Sequence, residues 1–176
     1  HTHSHSTLFR GQADDVPLME WLQKAMWPME AHLNAERAQA ATRLSCAEYI
    51  RGGITTYADQ FYFAAAVARA AMESGPRCLL APTVFEKPSP ETDDTLAAAT
   101  AFVEKWHGGQ EDTLVYPCIG PHAPYSVSEA QFRQVVQLSE QYDLLIHTHI
   151  SETLDENRQL RERTGQSPTA WLHSLG

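Results

Sequence analysis

The chain has 176 residues, 43% hydrophobic and 20% charged, the balance of a folded domain with a real core and not of a disordered chain. Thirteen basic residues against 22 acidic ones leave a formal charge of −9, and no basic stripe stands out, so neither nucleic acid nor an anionic membrane surface is an expected partner. Cys46, Cys78 and Cys118 are widely spaced, odd in number and free of any Cys-x-x-Cys, the pattern of reduced thiols in a cytoplasmic protein. No apolar run approaches the roughly 18 residues of a membrane span, and no signal peptide is visible.

The first residue is His and not Met, so the start reads as internal to a longer chain, with part of a strand lost upstream. A polar loop is expected from Thr7 to Pro17. Leu18, Met19, Trp21, Leu22, Ala25 and Met26 then recur at helical spacing up to Trp27-Pro28. A second helix is predicted from an Asn34 N-cap through Ala38, Ala41, Leu44 and Ala47 to Gly52-Gly53. Ile54 to Ala58 is β-branched and aromatic, hence a strand, with Asp59 at its C-terminal end. Residues 62–74 form an alanine-rich helix stopped by Gly75-Pro76, and Cys78 to Phe85 is the next strand. A helix from Glu91 to Trp106 and a strand from Leu114 to Ile119 follow, then Gly120-Pro121-His122-Ala123-Pro124, too rich in proline to extend a strand. Ser128 caps a helix through Tyr142, Leu144 to Ile150 is the last strand, and the end is helical at Leu154 to Glu162 and around Trp171-Leu172.

Strands and helices alternate throughout, and the strands are near-continuously apolar, as in parallel sheets covered on both faces. Two architectures fit: a doubly wound open sheet, or part of a (β/α)8 barrel. No Gly-x-Gly-x-x-Gly follows a strand and no P-loop is present, so a nucleotide-binding open sheet lacks its phosphate signature. His1, His3, Asp59, His122, His147, His149 and Glu152 all fall in, or just past, predicted strand ends. Barrel enzymes build their sites on that rim, and a set drawn from four strands favours a barrel of which about five of eight strand-helix units are present.

His147 and His149 are two apart on a strand and share a face. An imidazole buried for packing alone must still pair its nitrogens, so two on one interior face point to nitrogen ligation of Zn²⁺ or Fe²⁺. His1 and His3 offer the same spacing. Against that stand a tag-like polar end, since His5 extends the pattern, and copper held through a free N-terminal amine. Glu152 alone would be a solvated carboxylate, but beside a metal it becomes a proton carrier. His122, between two prolines, is either an ordinary loop residue or a rigid contact to a reacting substrate.

The ordered motifs His1-Thr2-His3, Leu8-Phe9-Arg10-Gly11 with Asp14-Asp15, Pro17-Leu18-Met19-Glu20-Trp21-Leu22, Trp27-Pro28-Met29-Glu30, Gly120-Pro121-His122-Ala123-Pro124-Tyr125 and His147-x-His149-x-x-Glu152 together resemble the amidohydrolase superfamily. Within it they are most similar to the 5-methylthioadenosine and S-adenosylhomocysteine deaminases and the related chlorohydrolases. The resemblance covers essentially the whole chain. It implies that His1, His3 and His149 are metal ligands, Glu152 the catalytic proton shuttle, His122 a catalytic and substrate contact, and Glu30 a partner of ribose hydroxyls. His147 matches a ligand position less well than His149 does and stands as support. The implied reaction is hydrolytic deamination of an adenosine-type nucleoside, with water activated by one divalent metal, zinc first and iron second.

Members of the superfamily complete the site with a histidine on the sixth strand and an aspartate on the eighth. This chain supplies neither, so residues 1–176 are expected to be an incomplete barrel domain, truncated at both ends and inactive alone. A small-molecule substrate is the expected partner, with a homo-oligomer left open. The runners-up are a relative acting on guanine or an s-triazine, and a non-catalytic structural fragment.

Overall fold

The computed structural model describes residues 1–108 and 113–176. β1 (Thr56–Phe61) pairs in parallel with β2 (Arg77–Val84), and β2 pairs in parallel with β3 (Val115–Pro117) and then with β4 (Gly120–Pro121), which resumes the path of β3. Single parallel bridges extend the order at both ends, Thr2 to Asp59 and Ile119 to Ile146. The strand positions therefore follow one another in sequence, with no reversal at which an open doubly wound sheet would change direction. This is five consecutive strands of a (β/α)8 barrel.

The outer face of the sheet is closed by helices. A 3₁₀ turn (Ser4–Phe9) occupies part of the expected polar loop. Then comes a helical run made of α1 (Leu18–Trp21), a π turn (Leu22–Met26) and α2 (Trp27–Glu30). It continues past Pro28, where a stop was expected. Proline lacks an N–H and its ring strikes the carbonyl four residues back; here the Trp27 N–H bonds Leu22, five residues back, and the widened turn makes room. α3 (Ala35–Arg51) begins at Asn34, whose side chain accepts from the Arg37 N–H at 2.9 Å. α4 (Ala64–Ser74) and α5 (Thr95–Trp106) cover β2, and α5 starts later than expected because Asp94 is its cap. α6 (Glu129–Tyr142) has a full capping box between Ser128 and Gln131, and α7 (Leu154–Thr164) and α8 (Pro168–His173) close the chain.

Alternation on β2 builds the core. Cys78 and Leu80 pack on Val67, Ala68 and Ala71 of α4 and Phe102 of α5, while Val84 packs on Ala99, Val103 and Val135. Each buried aliphatic side chain of this kind contributes about 1.5–3 kcal/mol. Between the strands, Gln60 of β1 reaches past Ala81 to donate its Nε2 to the Gly120 carbonyl at 3.1 Å. A Cβ at Gly120 would lie 2.9 Å from both Ala81 Cβ and Gln60 Nε2, so any side chain here forces its neighbours to move.

Four strands differ from expectation, β3 among them, which spans Val115–Pro117 and not Leu114 to Ile119. β1 starts at Thr56 and not at Ile54, because the Ile54 N–H closes α3 by bonding Tyr49 at 2.8 Å. It then runs through Asp59 and Gln60, whose low strand propensity is overridden by their bonds to neighbouring elements. The expected strand Leu144 to Ile150 is extended but only bridged. Ile119 N–H donates to Leu145 and His147 N–H to Ile119, but Pro121, next in that register, has no N–H to give. The ladder breaks there, and His149 N–H bonds the His122 carbonyl instead, at 3.0 Å. On the β2 side the proline costs nothing, since Cys118 and His122 donate there, and so Gly120-Pro121 remains a strand where none was expected. Among the described residues no helix is long and apolar enough to cross a membrane.

Candidate metal centre and active site

His1 and His3 flank the first bridge, and His149 lies beyond the last. One ligand nitrogen from each of the three lies within 4.8 Å of the others. Hydrogen bonds fix two of the tautomers. His3 Nδ1 is 2.6 Å from the Gln60 carbonyl and His149 Nδ1 is 2.9 Å from the His122 carbonyl. A carbonyl only accepts, so both Nδ1 atoms carry the proton and both Nε2 atoms keep a free lone pair. His1 Nδ1 sits 2.7 Å from His147 Nε2, and His1 Nε2 sits 3.2 Å from His149 Nε2. Burial, above all, holds the His3 pKa at about 4 and also lowers that of His147, so these rings are neutral at pH 7. Tetrahedral Zn–N bonds of roughly 2.1 Å separate ligand nitrogens by about 3.4 Å, and the His1 to His149 spacing already matches that. The donor set fits a divalent cation.

His122 stands beside this cluster, its ring centroid 5.1 Å from that of His149 and 4.6 Å from Phe85. Burial pushes its pKa to about 3. Ser126 Oγ donates to the Ala123 carbonyl and lies 2.7 Å from His122 Nδ1, so Nδ1–H donates to Ser126 and Nε2 is left for a ligand. Glu152 is exposed, and Tyr125 donates its hydroxyl to Oε2 at 3.0 Å. Glu30 does not join the histidines. It is 6% exposed at the end of α2, where burial raises its pKa to about 7 while the Tyr62 hydroxyl, by donating to the carboxylate, opposes the rise. An aromatic run of Tyr62, Phe61 and His3 connects the two regions.

Asp59 is not a rim residue. It is fully buried within β1, accepting from Ser4 N–H at 3.0 Å and from the Ser4 hydroxyl. Thr42 donates to Ser4 Oγ and Ser45 to the Ser4 carbonyl, so the carboxylate pins the turn that follows His3 to β1 while these two hydroxyls tie it to α3. His5 is no tag residue either: its ring is fully buried, 4.2 Å from Phe61. Sequence reading missed Ser4, Tyr62 and Tyr125. Only Tyr125 had a signal, its place in the Pro124-Tyr125 loop.

A sequentially wound parallel α/β chain with imidazoles gathered past the strand ends is a metal-hydrolase arrangement. The profile of the Amidohydrolase family matches residues 1–176, and the chain belongs to that family. It is 41% identical to the 5'-deoxyadenosine deaminase of Methanocaldococcus jannaschii, over all of this chain and 42% of the relative. It is 39% identical to the 5-methylthioadenosine/S-adenosylhomocysteine deaminase of Thermococcus onnurineus, again over all of this chain and 42% of the relative. Among solved structures, a zinc-bound adenosine deaminase from Xanthomonas campestris superposes with a TM-score of 0.94 at 36% identity, over all of this chain and 40% of that one. A guanine deaminase from C. acetobutylicum, at 21% identity and a TM-score of 0.89, shares the fold. The chain thus spans about two fifths of the proteins it matches.

Proposed function

We propose that residues 1–176 are the metal-holding part of an aminohydrolase that deaminates an adenosine-type nucleoside, methylthioadenosine or S-adenosylhomocysteine. The observation that carries this is the convergence of His1, His3 and His149, with the Nδ1 protons of His3 and His149 spent on carbonyls and their Nε2 lone pairs free. These three would hold one divalent cation, zinc before iron. When bound, such a cation supplies Lewis acidity and makes a coordinated water acidic near neutral pH.

The chain's own groups then have distinct tasks. Glu152, its carboxylate oriented by Tyr125, takes a proton and returns it to the departing amine. His122, neutral and fixed by Ser126, offers Nε2 to the substrate ring. Glu30, set apart beside Tyr62, accepts from ribose hydroxyls. The net change replaces an exocyclic amino group by oxygen, consuming water and releasing ammonia. The relatives' names support the nucleoside reading, and the chain's share of their length supports a site completed by further residues, with this piece inactive alone. Buried, unpaired Cys46, Cys78 and Cys118 agree with a cytoplasmic setting.

Two measurements test this. Purified chain should retain zinc and His149→Ala should lose it; equal, negligible metal in both sinks the metal centre. Ammonia release by the full-length protein should be seen with methylthioadenosine, 5'-deoxyadenosine or S-adenosylhomocysteine, with neither ammonia release from guanine nor chloride release from a chlorotriazine. Turnover of guanine alone would overturn the substrate class.

A further inference from the structure

Glu156, on the first turn of α7, is only 5% exposed, yet what satisfies its carboxylate is backbone. Oε1 accepts from the Ser151 N–H at 3.0 Å and Oε2 from the Glu152 N–H at 2.7 Å. Hydrogen bonds to an ionised acceptor are among the strong ones. In a capping box the acid at the third helical position returns to the N–H of the cap residue itself. Here Thr153 is the cap and accepts from the Glu156 N–H at 3.0 Å, but the Glu156 side chain reaches past it to the two residues before.

Those two residues matter. Ser151 has φ +55°, in the left-handed region that a non-glycine residue enters only when its surroundings hold it there. It lies between His149 and Glu152, so this kink sets how the carboxylate stands relative to the histidines. The far end of Glu152 is fixed separately, by Tyr125.

We propose that Glu156 is the positioning residue for Glu152: its carboxylate clamps the Ser151 and Glu152 amides, holds the left-handed turn and presents the proton carrier at one orientation. This rests on Glu152 being that carrier. The signal was present in the sequence as Thr153-x-x-Glu156, which reads as an ordinary helix start.

The first test needs no turnover. In amide NMR of the 176-residue chain, the Ser151 and Glu152 protons should lie downfield and exchange slowly. Glu156→Ala should move both upfield and expose them. Glu156→Gln, of the same shape with one acceptor oxygen, should spare one amide and release the other. Unchanged amides in Glu156→Ala would overturn the clamp. The second test uses ammonia release by the full-length protein. Misplacing a reacting group by about an ångström costs on the order of 100-fold, so Glu156→Ala should lose about that much kcat with KM nearly unchanged, and Glu156→Gln should recover part of it. If Glu156→Ala keeps kcat within about twofold while its amides are released, positioning is refuted. Full activity in Glu152→Gln would instead refute the proton-carrier reading, leaving the NMR result intact.

Discussion

Replacing Glu30 by Gln should make the protein more stable at alkaline pH and leave it nearly unchanged in acid. The carboxyl has its pKa raised from 4.5 to about 7, chiefly by burial. The folded state therefore holds this proton more tightly than the unfolded chain does. The resulting stability is fully present below about 4.5 and is lost as pH rises through about 7. That interval is worth about 3 kcal/mol, and a side chain 6% exposed has little solvent to screen it. Gln is neutral at every pH and keeps an acceptor for Tyr62, so the variant lacks this loss. Urea unfolding followed by the fluorescence of the four tryptophans, run on both proteins at pH 5 and pH 8, isolates Glu30 because all other titrations cancel. The advantage of Glu30→Gln should grow by about 2.5 kcal/mol between the two. A difference that does not change with pH would show that Glu30 is ionised in the fold at little cost, and would refute burial as the cause.

Gly120→Ala should cost about 2–4 kcal/mol in the same assay, since the added methyl meets Ala81 and displaces Gln60 from the Gly120 carbonyl; a loss under about 0.5 kcal/mol would mean the interior yields easily. Ser128→Ala removes the cap of α6 and should lower stability by about 1 kcal/mol, with a neutral result contradicting the capping box. Asp59→Ala strands the Ser4 N–H and hydroxyl and should cost about 2–3 kcal/mol. It should also weaken zinc retention, measured by competition with a chelating dye, because the turn behind His3 loses its anchor.

Periodicity and caps made most of the scaffold readable. Asn34 and Ser128 announced helices that begin where they should, and the apolar run from Cys78 named β2. What escaped depends on partners distant in sequence. Asp59 and Gln60 are poor strand formers, and only Ser4 on one side and Gly120 on the other explain their place in β1. Pro28 looked like a stop because a π turn leaves no local signature. At the site, the pairs His1/His3 and His147/His149 were visible as spacing and the family resemblance singled out His149, but the tautomers of His3 and His149 are chosen by the backbone carbonyls of Gln60 and His122, whose approach only the folded chain sets. Glu30 and Glu152 were named, whereas Tyr62 and Tyr125, which hold them, are ordinary aromatics until the chain is folded.

The His122 carbonyl receives the His149 N–H, the His149 Nδ1–H and, at 3.4 Å, the Thr148 hydroxyl. One peptide group is therefore the footing of two rings, which in the proposed function would serve a substrate ring and an ion respectively. A guest that shifted His122 would tilt the imidazole of His149, and an ion that gripped His149 would draw on His122. Such an influence is a coupling free energy, and thermodynamics makes it equal in both directions. The metal and the substrate would each report on the other through a single oxygen atom.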